Sequence, residues 1–228
     1  MHCYARVKTK LGAFWVGRSP KGIALISPAQ NPPQAFEAAY RKRLGVKPLR
    51  GIMPKSSVRA VQNAAAGRPF RPVSIDLSGM SQFQCEVLKK LQRVPRGEVR
   101  SYAWLAREAG RPRAVRAVGN TMARNPVPFL VPCHRVVPAS GGVGNYGYGS
   151  VRKLQLLFLE GVPIGEMEEL EAKGVRYVGS RSTKTYCYPT CLKIRNTDPV
   201  KRTFFTSTKE AREAGYRPCS RCRPDTGK

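Results

Sequence analysis

The chain has 228 residues, with 41 Lys and Arg against 14 Asp and Glu, and a formal charge of +27. A hydrophobic content of 41% is enough for a packed core and excludes wholesale disorder. The longest apolar runs, such as 127–131, fall far short of the ~20 residues of a membrane span, and so large a positive excess calls for a polyanionic partner, most simply nucleic acid.

No apolar stretch follows Met1-His2-Cys3-Tyr4 as a secretory signal would require, so an intracellular protein is expected. The opening reads as β-structure: 4–9 and 13–18 flank a Lys10-Leu11-Gly12 turn, and Ser19-Pro20-Lys21-Gly22 turns into a third strand over 23–27. Residues 34–44 have helical composition and stop at Gly45, a good C-terminal cap. The Pro- and Gly-rich stretch 46–78 reads as a connection with one or two short elements. From Ser81 the helix signals sharpen, with Phe83, Val87, Leu88 and Leu91 on one face ahead of Pro95. Ser101 caps a short helix through 109, closed by Gly110 and Pro112, and a second helix over 113–123 spaces Val115, Val118 and Met122. The pair forms a helix-turn-helix pattern, which many enzymes also use for packing alone. A later helix from Ser150 is expected to bury Leu154, Leu157 and Phe158 and to end at Gly161. The acidic stretch 166–171 reads as a linker, and Ser207-Thr208-Lys209-Glu210 is a capping box for a helix ending at Gly215. No internal repeat occurs.

Seven cysteines in an intracellular chain argue against a disulfide framework. Cys3 and Cys85 carry no partner motif and read as structural. Cys133 lies between prolines and an apolar run, ordinarily the setting of a buried, inert thiol, but the adjacent His134 is an imidazole that can take its proton directly or through water. Glu160 would complete a Cys-His-Glu relay by holding that imidazole in one tautomer. Cys187-x3-Cys191, a 27-residue gap and Cys219-x2-Cys222 read as a tetrathiolate site for one zinc ion, which would also supply folding energy to a segment too small for its own core.

Pro132-Cys133-His134-Arg135, Asn125-Pro126-Val127-Pro128 and Gly144-Asn145-Tyr146 resemble the O6-alkylguanine-DNA alkyltransferases. The similarity runs through Gly97-Glu98-Val99-Arg100-Ser101-Tyr102, Arg116-Ala117-Val118-Gly119-Asn120 and Leu159-Glu160-Gly161. It implies an α+β protein with an N-terminal ribonuclease-H-like α/β domain (1–78) and a helical catalytic domain carrying the helix-turn-helix (79–165). The implied chemistry is suicide repair, with no organic cofactor: Cys133 attacks the alkyl carbon on O6 of guanine and keeps the alkyl group. By the same resemblance His134 activates the thiol through water, Glu160 orients His134, Asn125 braces the turn and Tyr102 supplies a proton to the departing guanine. Arg116 corresponds to the finger that fills the hole left by the extruded nucleotide. Ala117 and Gly119 suit close approach to the minor groove, and Arg135 and Tyr146 are expected at DNA. Tyr148 stands where many relatives have glycine and would narrow the alkyl pocket.

The tail resembles the metal-binding module of Ada-type methyl-repair proteins in Tyr186-Cys187-Tyr188-Pro189-Thr190-Cys191, Phe204-Phe205 and Ala214-Gly215-Tyr216-Arg217-Pro218-Cys219-Ser220-Arg221-Cys222. That resemblance implies a third part, 166–228, in which Cys187 is a zinc ligand and either a second methyl acceptor from DNA phosphotriesters or part of a structural, DNA-tethering module. The expected protein is a monomer acting on double-stranded DNA that contains O6-alkylguanine, without a membrane partner, and cytoplasmic and nucleoid-associated, or nuclear in a eukaryote. The linker leads to the expectation that the zinc part and the catalytic part lose structure separately. Competing readings are a non-enzymatic binder of alkylated DNA and a zinc-dependent transcriptional regulator. The presence of Cys133 weighs against the first, and the lack of a regulator motif after Cys222 against the second.

Overall fold

The computed structural model describes residues 1–139 and 142–224, so the last four residues of the expected zinc part lie outside the described residues. Two compact units emerge: Met1–Arg93 with Arg116–His134, and Val94–Val115 with Arg135–Lys228. The architecture is a mixed α+β one, with an N-terminal sheet, a helical middle and a small C-terminal sheet around a four-cysteine cluster.

In the first unit, β1 (Cys3–Thr9), β2 (Gly12–Ser19) and β3 (Gly22–Pro28) form an antiparallel meander, as their alternating apolar residues and tight Gly turns dictate. Helix α1 (Pro33–Leu44) packs Phe36 and Tyr40 onto this sheet. Gly17 permits the approach, because a Cβ there would lie within 2.9 Å of both rings. The stretch 46–78 holds β4 (Leu49–Arg50), which pairs parallel with β1 to give the order β3-β2-β1-β4, and α2 (Lys55–Ala65). Helix α3 (Gln82–Leu91) begins in a complete capping box between Ser81 and Gln84 and buries Val87, Leu88 and Leu91.

The second unit opens with β5 (Arg100–Ser101) and α4 (Tyr102–Glu108), capped by the Ser101 hydroxyl, which accepts from the Trp104 amide at 3.0 Å. A Gly110-Arg111-Pro112 turn leads to α5 (Val115–Ala123), most of which belongs to the first unit. β6 (Val136–Val137) pairs parallel with β5. Helix α6 (Ser150–Leu159) follows, but its buried face is not the expected one: Leu156 and Leu157 are buried with Lys153, whereas Phe158 is 74% and Leu154 37% exposed. Lys153 turns the helix, since its Nζ donates to the Val136 carbonyl at 2.7 Å and to the Asn145 carbonyl at 3.3 Å.

Residues 166–171, expected as a linker, lie instead within α7 (Ile164–Ala172), which buries Leu170 against the cysteine cluster. The acidic side chains occupy the exposed face of an ordinary helix rather than an extended spacer. Then come β7 (Tyr177–Ser180), β8 (Thr185–Cys187), α8 (Leu192–Arg195), β9 (Arg202–Phe205), α9 (Thr208–Glu213) and β10 (Arg217–Pro218), with sheet order β10-β8-β7-β9. Ser207 caps α9, as its sequence requires.

This module shares its unit with the Gly97–Glu108 stretch, and hydrogen bonds join them. The Val99 amide donates to Thr190 Oγ1 at 3.0 Å, Arg195 Nη1 donates to the Gly97 carbonyl at 3.2 Å, and Trp104 Nε1 donates to the Cys222 carbonyl at 2.9 Å. Among the described residues no helix is long and apolar enough to cross a membrane.

Candidate functional site

In the first unit, every residue from Asn125 to His134 is buried. The alternation of Pro with apolar residues keeps this stretch irregular, and Phe129 adopts φ +71, a left-handed conformation that a non-glycine residue takes only when its surroundings hold it. They do so here: the Phe129 ring meets Phe14 of β2 edge-on at 5.0 Å, and the Pro126 carbonyl accepts from the Ile26 amide of β3 at 2.8 Å. The segment ends in a 3-10 turn that begins at Cys133.

Asn125 organises this turn. Its Oδ1 accepts from the Val127 amide at 3.1 Å, while its Nδ2 donates to the Val131 carbonyl at 2.8 Å and to Cys133 Sγ at 3.1 Å. The thiol is 5% exposed, beside a wholly buried His134. An amide donor fixed on a sulfur favours its thiolate, the form in which a cysteine acts as a nucleophile.

The outer face of α5 exposes Arg116, Ala117 and Asn120, while Val118, Thr121 and Met122 are buried. Gly119 is half-buried, and nothing lies within 4 Å of where its Cβ would be. Packing within the chain therefore does not require a glycine at that position.

In the second unit, Tyr102 is half-buried at the first turn of α4. Tyr146 and Tyr148 lean on each other, with centroids 5.6 Å apart. Arg135, expected at DNA, is instead turned inward: Nε and Nη2 form a two-pronged ion pair with Glu160 at 2.8 and 2.7 Å, and Nη1 donates to the Val94 carbonyl at 2.7 Å. Its side chain is 12% exposed and that of Glu160 only 2%, so the pair is a structural tie between the residue after His134 and the end of α6.

Two buried charged residues brace these segments without having been singled out by the sequence. One is Lys153, which ties the carbonyls of Val136 and Asn145, one in each flanking motif; its signal was a lone lysine among the apolar residues of α6. The other is Glu98, an isolated acid among Arg93, Arg96 and Arg100, whose carboxylate is 2% exposed. It pairs with Arg100 Nη2 at 2.5 Å and Arg221 Nη2 at 3.0 Å, and it accepts from the Leu192 amide at 3.4 Å.

The four cysteines of the tail converge. Cys187 ends β8, Cys191 precedes α8, and Cys219 and Cys222 follow β10. All are buried, with sulfurs within 4.8 Å of one another. A tetrahedral zinc with bonds of about 2.3 Å needs sulfurs roughly 3.8 Å apart, so the cluster suits that ion without rearranging the fold.

Two family models match the chain: "6-O-methylguanine DNA methyltransferase, DNA binding domain" over residues 82–162, and "Metal binding domain of Ada" over residues 167–225. A methylated-DNA–protein-cysteine methyltransferase of Rattus norvegicus is 43% identical over 119 residues, 51% of this chain and 56% of that protein. The corresponding Homo sapiens protein is 54% identical over 85 residues, 37% of this chain and 41% of that one. The chain thus spans about half the length of these curated relatives. The crystal structure of the Mycobacterium tuberculosis O6-methylguanine methyltransferase is similar at 30% identity and a TM-score of 0.58, over 71% of this chain and 93% of that one.

Proposed function

The chain belongs to the O6-methylguanine-DNA methyltransferase family, and on that premise we propose that it repairs DNA by irreversible transfer of an alkyl group from O6-alkylguanine to Cys133. The observation that carries this reading is the Asn125 amide held between the Val131 carbonyl and Cys133 Sγ, which fixes the sulfur in a rigid, buried turn. In-line attack forms the S–C bond as the C–O6 bond breaks. The thiol proton leaves through His134, with Glu160 as its orienting carboxylate, and the departing guanine is neutralised by a proton from Tyr102. The thioether is stable, so each molecule acts once.

Double-stranded DNA is the partner this reading requires, bound through the exposed face of α5 that carries Arg116, Ala117 and Asn120. Arg116 is the finger, and Ala117 and Gly119 are the close-approach positions, which the open space at Gly119 supports. Tyr146 is the further DNA contact of this reading. The N-terminal sheet, ordered β3-β2-β1-β4, is read as ribonuclease-H-like.

The tail holds one zinc ion through Cys187, Cys191, Cys219 and Cys222, and the ion neutralises thiolates that would otherwise repel one another. Cys187 is 1% exposed, packed with Val178 and Ile194, so we assign the module a structural, DNA-tethering role and leave Cys133 as the acceptor. Intact mass spectrometry with peptide mapping after incubation with methylated duplex tests both assignments. One methyl on Cys133 is expected. A second on Cys187 would make the module a repair site, and no adduct at all would favour a binding protein.

Tyr148 bears on alkyl range. Its ring, half-buried against Tyr146, adds a wall where many relatives have none. Overpacking a pocket costs about 1–3 kcal/mol, so Tyr148→Gly should raise the inactivation rate by free O6-benzylguanine about ten- to a hundredfold relative to methyl transfer. An unchanged benzyl-to-methyl ratio in the folded variant would remove Tyr148 from the pocket wall.

A further inference from the structure

The stretch that carries Tyr102 is fastened to the zinc module on both sides of that residue. Before it, Gly97 accepts from Arg195, Val99 donates to Thr190, and the buried Glu98 carboxylate accepts from Arg221 and the Leu192 amide. Gly97 itself sits at φ +78, where a side chain is strained, with its Cβ position a tight 3.1 Å from the Glu160 carbonyl. The Arg100 guanidinium lies between two rings, 5.6 Å from the centroid of Trp104 and 5.6 Å from that of Tyr188. After it, Trp104 donates to the Cys222 carbonyl, Arg107 Nη2 donates to the Arg223 carbonyl at 2.5 Å, and Arg223 pairs with Glu108.

Apart from Arg195 and Cys222 itself, the partners on the module side are the chain neighbours of the proposed metal ligands. Tyr188 follows Cys187, Thr190 and Leu192 flank Cys191, and Arg221 and Arg223 flank Cys222. Four thiols freed of an ion have no reason to hold these backbones in place, whereas a bound ion fixes them all together. β5 is only two residues long and is held by two-residue β6, so it has little stability of its own.

We propose that the four-cysteine centre is a clamp on the Gly97–Glu108 stretch, with Glu98 and Arg221 as its positioning residues, so that Tyr102 keeps its place only while the ion is held. Tyr102's part in the reaction rests on the function proposed above; the clamp does not. A clamp predicts that the zinc part and the Gly97–Glu108 stretch lose structure together, the opposite of the separate loss that a linker suggests.

Amide hydrogen exchange on the zinc-replete full-length protein, free of DNA, tests the clamp. Chelation should speed exchange across 97–108 at least about tenfold along with 177–223, while β1–β3 keep their protection. Arg221→Ala, which leaves Glu98 its Arg100 partner and all four ligands, should retain one zinc and still loosen 97–108 by about tenfold, and Arg221→Lys should restore most of that protection. Unchanged exchange over 97–108 after chelation overturns the proposal, as does an Arg221→Ala protein indistinguishable from wild type. An equal loss in β1–β3 overturns it too, because a global collapse is not a clamp. The readout needs no alkyl transfer, so a failure to find an adduct on Cys133 leaves this inference untouched, and the reverse holds.

Discussion

Cys133→Ala abolishes adduct formation and leaves affinity for alkylated duplex within about twofold of wild type, because the sulfur is the reactant while phosphate contacts set the affinity. The substitution is mild for the fold. It removes one 5%-exposed sulfur, and the Asn125 amide that pointed at it still donates to the Val131 carbonyl. The expected stability cost is about 1 kcal/mol. Intact mass after incubation with methylated duplex reads the first effect, and salt-dependent binding reads the second. Transfer persisting in the purified variant would falsify the assignment of the acceptor.

Arg135→Ala should cost far more stability than its place in a basic protein implies. Removing the guanidinium leaves Glu160, 2% exposed, without its two-pronged partner, and leaves the Val94 carbonyl without its donor. Breaking a buried pair on one side costs about 3–5 kcal/mol, which for a chain of this size lowers Tm by roughly 10 °C. Truncating both partners together, Arg135→Met with Glu160→Gln, should recover part of that loss. Were Arg135 a phosphate contact instead, Tm would hardly move, and the salt dependence of DNA affinity would lose about one unit of slope. Melting curves and a salt titration on the same variant separate the two.

The contrast between Arg135 and Cys133 shows what a sequence makes legible. Elements whose signals are local came through: Ser101 and Ser207 cap the helices they were expected to cap, a helix follows Ser81, Gly45 ends α1, and the Cys187/Cys191 and Cys219/Cys222 pairs converge. Failures came where a charged side chain is buried by a partner distant in sequence. The expected buried face of α6 includes Leu154 and Phe158, but the buried Lys153 turns the helix and leaves Phe158 in water. Arg135 was read as a DNA contact because its partner, 25 residues on, carries no local mark. The acids of 166–171 resembled a spacer because the face that α7 buries offers little but Leu170. Helix α2 is faint in the sequence for a different reason: Pro54 stands at its N-cap with no side-chain cap, and its buried residues are mostly small, with Ser57, Ala60, Ala64 and Ala65 around Val61.

The Trp104 indole offers an optical gauge of the cysteine cluster. The chain has two tryptophans, and Trp15 is bound in the N-terminal sheet, where its indole donates to the Asn31 carbonyl at 2.9 Å. Trp104 is 5% exposed and hydrogen-bonded to the carbonyl of a cluster cysteine. Selectively excited tryptophan emission from a Trp15→Phe protein therefore comes from one indole, bonded to a cluster cysteine. Its wavelength should follow the loading, oxidation or stripping of those sulfurs in real time, without a label.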